Sequence, residues 1–274
     1  NAYDREYDER GTINEYESEV LGIKYDFSKT ISPKISLGGG SEYKYDWGKF
    51  NNRGSYQAST KGHSENLSAY GNLGWNIYKN SNISFFARND NHKQTGNEIT
   101  YKVNFEQSIN DLKIGLSHMN GIRNPTLYEM FGTDNYGYSG NVNLKPEKSN
   151  TYEIYSNLNL NEHLNMSVRA FKSNIKNNIE YVSNQYVNDA DDVDLNQSGV
   201  SGNIKFKNDI QNINFFSSFL SSKKENGASF TRRPSKNYGF SLNNKLDNSY
   251  FGNFNLNLSY NHYGKHFDVH FSIY

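Results

Sequence analysis

The feature that most restricts this chain is an alternation of apolar and polar side chains with a period of two, repeated along nearly its whole length. It is cleanest where Phe254, Leu256, Leu258 and Tyr260 interleave with Asn253, Asn255, Asn257 and Ser259. The same rhythm sets Leu21, Ile23, Tyr25 and Phe27 on one face, and again Ile99, Tyr101, Val103 and Phe105. Successive side chains of a strand point to opposite sides, so this pattern predicts half-buried β-strands. About twelve such strands follow one another, each long enough for the roughly 9–11 residues of a tilted membrane strand.

Periodicity alone does not separate a sandwich from a barrel, because both have one apolar face. The connections do. Short turns at residues 28–33, 79–81, 109–111, 161–163, 209–212 and 247–249 alternate with polar stretches at 1–14, 46–65, 89–97, 120–149, 181–196 and 222–235. An up-and-down transmembrane barrel keeps short turns at its periplasmic rim and long loops at its extracellular rim. The fold expected is therefore all-β, an arc of an antiparallel transmembrane barrel, with the polar stretches outside the cell and the Asn/Ser/Lys face lining a wet lumen.

Composition agrees. Only 34% of the 274 residues are hydrophobic, below the roughly 45–50% with which globular domains cover a core. Basic and acidic residues balance at 29 each, which gives no basic surface for nucleic acid. There is no cysteine, hence neither a disulfide framework nor a thiolate metal site. No apolar run reaches the roughly 18 residues of a membrane helix, a limit that says nothing against strands. The chain begins at Asn1 without a signal peptide, so we expect a processed or excised piece.

One stretch departs from the rhythm: residues 121–153, GIRNPTLYEMFGTDNYGYSGNVNLKPEKSNTYE. Pro125 and Pro146 lack a ladder N–H and mark chain outside regular strand. Gly140, Asn141, Asn143, Leu144, Pro146, Glu147, Tyr152 and Glu153 fit, in order and spacing, a strand-opening motif of the TonB-dependent outer-membrane receptors. Arg123, Pro125, Leu127 and Glu129 fit that family's strand-closing motif, and residues 87–92, ARNDNH, resemble its strand-end Arg-x-Asp-x-His segment. The chain thus resembles a TonB-dependent receptor barrel over its whole length, with cobalamin receptors the first likeness and ferric-siderophore receptors the second.

That resemblance implies residence in the bacterial outer membrane, no enzymatic activity and no cofactor. It implies binding of a scarce nutrient at extracellular loops, and as partners a plug domain of the same receptor, the TonB complex through that plug, and outer-membrane lipid and lipopolysaccharide. The family barrel has twenty-two strands and an N-terminal plug. Residues 1–274 show no plug pattern, and Tyr274 is preceded at alternate positions by Ser272, His270 and Asp268 rather than by apolar residues. We therefore expect a partial barrel domain whose C-terminal strands are missing. The rival expectation is a complete small porin or adhesin barrel of about twelve strands.

Candidate site residues concentrate in the 121–153 stretch. Tyr128, Phe131, Tyr136 and Tyr138 form its aromatic set, suited to capture of a large, partly apolar ligand or to an interface girdle. Tyr136 and Tyr138 are expected at the extracellular tip. Arg123, Glu129 and Glu147 are expected to fix the loop base through charge-assisted hydrogen bonds. Elsewhere, Asp189, Asp191, Asp192 and Asp194 offer oxygens for calcium but lack a defined motif, so a solvated acidic loop is the simpler reading. His262, His266 and His270 recur every four residues without a carboxylate partner. Lys223, Lys224, Arg232 and Arg233 form a basic loop that either meets phosphates or is merely solvated. No constellation has the context catalysis requires.

Overall fold

The computed structural model describes residues 2–9, 12–53, 57–189, 194–225, 234–248 and 252–264. Its strands are β1 (Ala2–Glu9), β2 (Thr12–Ser32), β3 (Ile35–Arg53), β4 (Ala58–Tyr78), β5 (Ser81–His92), β6 (Gly96–Ile109), β7 (Leu112–Arg123), β8 (Glu147–Asn159), β9 (Leu164–Lys176), β10 (Ile179–Val182), β11 (Gln185–Asn188), β12 (Leu195–Lys207), β13 (Gln211–Lys224), β14 (Lys236–Asn248) and β15 (Gly252–Tyr263). Thirteen of them form one antiparallel sheet in sequence order, with β12 following β9. A short helix, α1 (Leu127–Phe131), lies between β7 and β8, and the β10–β11 hairpin lies between β9 and β12.

The apolar set faces away from the chain's own contacts. Leu256 and Leu258 are 43% and 49% exposed, and Leu21, Ile23, Phe105, Leu116, Ile154, Val200 and Phe219 are exposed likewise. No second layer covers them among the described residues, which is how a barrel wall meets lipid and how its alternation arises. The opposite, polar face carries side-chain networks such as Arg88 with Glu42, Asp90 and Ser68. On the apolar face, where Gly39 pairs with Phe27, a Cβ on Gly39 would fall 2.8 Å from the Tyr70 carbonyl oxygen. The glycine run of 38–40 is thus a place of close strand approach.

Two expectations fail on the N-terminal third. Residues 2–9 are not loop but β1, laddered with β2 from Ala2↔Glu19 to Glu9↔Thr12. Residues 46–65 are not a long loop either: β3 and β4 pair continuously from Asp46↔Ser64 to Asn52↔Ala58. With 19 and 21 residues, these strands run well past the roughly 9–11 that span a membrane. Above the apolar band both faces of a strand are polar, so the alternation vanishes while the ladder continues. The interval 89–97 likewise shrinks to residues 93–95 between β5 and β6.

The meander sorts its connections onto two rims. Among the described residues one carries only short links, such as Pro33–Lys34, Lys79–Asn80 and Asn110–Asp111; the other carries residues 124–146 and the β10–β11 hairpin. The sheet is open: among the described residues no ladder joins β15 to β1 or β2, and β1 covers β2 only as far as Glu19.

Candidate functional site

The 124–146 connection is a folded body that reaches over the polar face. β7 ends at Arg123 and β8 begins at Glu147, one residue after Pro146. Arg123 and Glu147 are a cross-strand pair. Arg123 donates through Nε to Glu147 Oε2 at 2.7 Å and through Nη2 to Glu147 Oε1 at 3.0 Å, while Nη1 reaches both oxygens of Glu129 at 3.0 and 3.1 Å. Both carboxylates hold further segments: Glu129 Oε2 accepts from the Thr126 N–H at 2.7 Å, and Glu147 Oε1 from the Ile179 N–H at 2.8 Å. One guanidinium thus joins β7, α1, β8 and β10. The fork geometry of Arg suits two carboxylates at once, and these bonds, Glu147's foremost, raise its pKa above the ordinary value.

The start of α1 follows from two residues. Thr126 Oγ1 accepts from the Glu129 N–H at 3.1 Å while the Glu129 carboxylate accepts from the Thr126 N–H, a reciprocal capping box that satisfies two otherwise unpaired donors. The helix lies against β3 and β4 rather than beside its own strands. Phe131 fills the space left by Gly62, where any Cβ would collide with the ring, and its carbonyl accepts from Thr60 Oγ1. Asn52 donates to Thr133 Oγ1 at 3.3 Å, and Asn135 to Asn14 Oδ1 at 3.1 Å.

The four aromatic residues part company here. Tyr138, expected at the tip, is 2% exposed. Its ring stacks on Tyr128 at 4.9 Å, and its hydroxyl donates to the Tyr128 carbonyl at 2.6 Å. Tyr128 in turn meets Tyr16 and Phe50 edge-on at 5.7 and 5.6 Å. Burial pushes both phenols well above the usual tyrosine range, so both stay neutral. A connection this long carries its own small core: Met130, Tyr138 and Leu144 are buried, and Tyr128 and Phe131 lie half-buried around them. Tyr136 is 57% exposed and stands at the surface.

The β10–β11 hairpin completes the body, and sequence reasoning placed it in a loop. Ser183 and Asn184 both have positive φ, 48° and 63°, the signature of a two-residue type I′ turn; an Asn at such a turn was its one readable signal. Asn184 donates to the Tyr136 carbonyl at 3.2 Å, Asn141 to the Tyr186 carbonyl at 3.0 Å, and Asn188 accepts from the Lys145 N–H at 2.8 Å. Lys224 of β13 pins the hairpin from below, 2.6 Å from Glu180 and 2.9 Å from Asp189. That lysine is therefore not free for external phosphates. Arg232, Arg233, Asp191, Asp192, His266 and His270 lie outside the described residues. Asp194 accepts from Asn174 at 2.9 Å, and His262 stacks on Tyr238 at 4.7 Å. No three His, Asp or Glu among the described residues are grouped to hold a metal.

Beneath α1 the body leaves a cavity of about 490 Å³ on the polar face. His92, at the end of the Arg-x-Asp-x-His segment, lines it and links wall to loop: Nε2 lies 2.8 Å from Ser64 Oγ, and Nδ1 accepts from the Thr95 N–H at 3.2 Å. Thr95 Oγ1 then donates to Asn124 at 2.9 Å. Burial lowers the pKa of His92.

A family model described as TonB-dependent receptor-like, beta-barrel matches residues 1–273, whereas no curated protein matches the chain. The siderophore receptor PirA from Acinetobacter baumannii superposes with a TM-score of 0.71 at 15% identity, over 92% of this chain and 43% of its own. For the ferric yersiniabactin uptake receptor FyuA from Yersinia pestis the values are 0.69 and 14%, over 95% and 45%; for the copper transporter OprC they are 0.68 and 14%, over 85% and 41%. At such identities the likeness is one of fold, and the chain spans less than half the length of these proteins. The family comprises transport receptors, not enzymes, and its match over the whole chain sets aside the small-porin alternative. The chain belongs to the TonB-dependent receptor β-barrel family of the bacterial outer membrane.

Proposed function

We propose that this chain forms part of the wall and mouth of a receptor that captures a metal–chelate nutrient, a ferric siderophore in preference to cobalamin, for energised uptake. The observation that carries this reading is the body built on residues 124–146, clamped at Arg123 and presenting Tyr136 at its surface. A rigid amphipathic ring on a preordered loop suits a large, partly apolar ligand, because little conformational freedom is lost on binding. The siderophore reading is supported by the likeness to the siderophore receptor PirA and the ferric yersiniabactin uptake receptor FyuA. Energy would reach the site through a plug within the lumen and the TonB complex.

The test uses the full-length parent receptor and measures binding of a panel of ferric siderophores beside cyanocobalamin. Tyr136→Ala should weaken binding of the recognised chelate about tenfold, roughly 1.4 kcal/mol, with the amount of folded barrel unchanged. Unchanged affinity at equal receptor abundance would place capture elsewhere, and binding of cyanocobalamin alone would reverse the choice of ligand.

A further inference from the structure

On the apolar face a groove of about 680 Å³ runs between β6 and β9. Its floor is Phe105, Leu116, Ile154 and Ala170. The register sets Phe105 beside Leu116, Leu116 beside Ile154 and Ile154 beside Ala170, so the small Ala170 leaves the depression where its neighbours are bulky. The next outward row is chemically different. It reads Val103, His118, Tyr152 and Lys172. His118 stacks flat on the exposed Tyr152 at 4.4 Å and bonds Asn150 Oδ1 through Nε2 at 2.6 Å.

Lys172 is exposed on this face and, among the described residues, forms no ion pair or hydrogen bond. An unpaired ammonium is costly on a lipid-facing surface unless it sits at an interface. Its depth follows from the strand. Lys172 is eight positions from Leu164, the first residue of β9 after the short-turn rim. At roughly 3.3 Å per residue and a tilt of about 35–45°, that is roughly 20 Å up an apolar band about 25 Å tall. The short-turn rim is the periplasmic one, so Lys172 lies near the outer interface with the apolar groove directly beneath it.

We propose that this groove is a specific lipid site, in which an acyl chain of a phosphorylated glycolipid of the outer leaflet lies along Phe105, Leu116, Ile154 and Ala170. Lys172 takes its phosphate, and the Tyr152–His118 stack offers the amphipathic platform on which a sugar rests. The site concerns the lipid-facing wall and stands whichever nutrient the mouth binds.

The test takes the full-length receptor in mild detergent with bis-phosphorylated lipid A, its dephosphorylated form and phosphatidylglycerol, and counts retained lipid by native mass spectrometry. Wild type should retain the bis-phosphorylated lipid, and Lys172→Gln should retain it about tenfold less, the loss of one charge-assisted contact. Ala170→Phe, which fills the groove, should lose it too, whereas Lys29→Gln, near the opposite rim, should not. Heat-modifiable mobility reports folding; if Ala170→Phe does not fold, Lys172→Gln decides alone. Equal retention by Lys172→Gln and wild type would overturn the proposal. So would equal retention of the dephosphorylated lipid or of phosphatidylglycerol.

Discussion

At the scale of single residues, Arg123 and His92 hold the loop body to the wall by different chemistry, and each can be removed separately. Arg123→Ala leaves Glu129 buried and Glu147 half-buried without their common partner. Because the Arg123 side chain is itself 42% exposed, the cost lies between that of a surface pair and a buried one, roughly 1–3 kcal/mol. The expected outcome is faster hydrogen exchange and proteolysis across residues 124–146 with the barrel ladder intact. Arg123→Lys should recover only part of the protection, since an ammonium does not span both carboxylates. His92 is expected to make the attachment pH-dependent. Its pKa is lowered below the ordinary 6.5 by burial, against the opposing pull of Asp46 and Asp90. A group whose folded pKa is depressed in this way is neutral when folded, and a protonated Nδ1 could not accept from the Thr95 N–H. Stability is therefore complete above pH 6.5, falls as pH drops below it, and stops falling below the folded pKa. Exchange protection at Thr95 and Asn124 should decline as pH falls from 6.5 towards 5, and His92→Gln should flatten that profile; a profile unchanged by the substitution would assign the titration to other groups.

At the scale of elements, the seat of α1 depends on a missing side chain. Gly62→Ala puts a methyl where the Phe131 ring lies, an overpacking that costs about 1–3 kcal/mol. Phe131→Ala opens a void instead. The double substitution should cost less than the sum of the two, and a strictly additive result in a denaturation cycle would show that the ring moves away freely. This contact also marks the limit of what the sequence discloses. Membrane-spanning strands were legible because lipid on one face and water on the other enforce a period of two. The tops of β3 and β4 were not, because Trp47, Phe50, Ser64 and their neighbours pair beyond that constraint, where only the ladder and the overlying loop matter. The Arg123–Glu129–Glu147 group could be nominated from its charges and from Arg123 and Glu147 flanking the two prolines. The inward turn of Tyr138 could not, since a Tyr/Gly/Asn-rich run is equally compatible with a solvated tip and with a small core. The start of α1 was in principle readable, as Thr126 and Glu129 have capping-box spacing ahead of an apolar run.

At the scale of the whole molecule, the open sheet sets a requirement that chemistry in lipid cannot waive. Residues 20–32 of β2 lie beyond the reach of β1, and β15 pairs only with β14 among the described residues. The exposed apolar side chains of both strands, such as Ile23, Phe27, Leu256 and Leu258, place those edges at membrane depth. No water is available there to take the unpaired N–H and C=O groups, each of which costs several kcal/mol. In the membrane, then, both edges must be joined to further strands, either directly or through others. In the full-length parent reconstituted in lipid, amides of residues 20–32 should be as protected from exchange as those of β7 and β8 in the middle of the arc. The 274-residue chain expressed by itself with an export signal should, by contrast, fail to give a heat-modifiable barrel, because closing its two edges on each other would have to create a seam this sheet does not contain. Recovery of a folded, detergent-resistant species from the chain alone, with β2 and β15 crosslinking through cysteines placed at Ile23 and Leu256, would mean that these strands close a small barrel on their own.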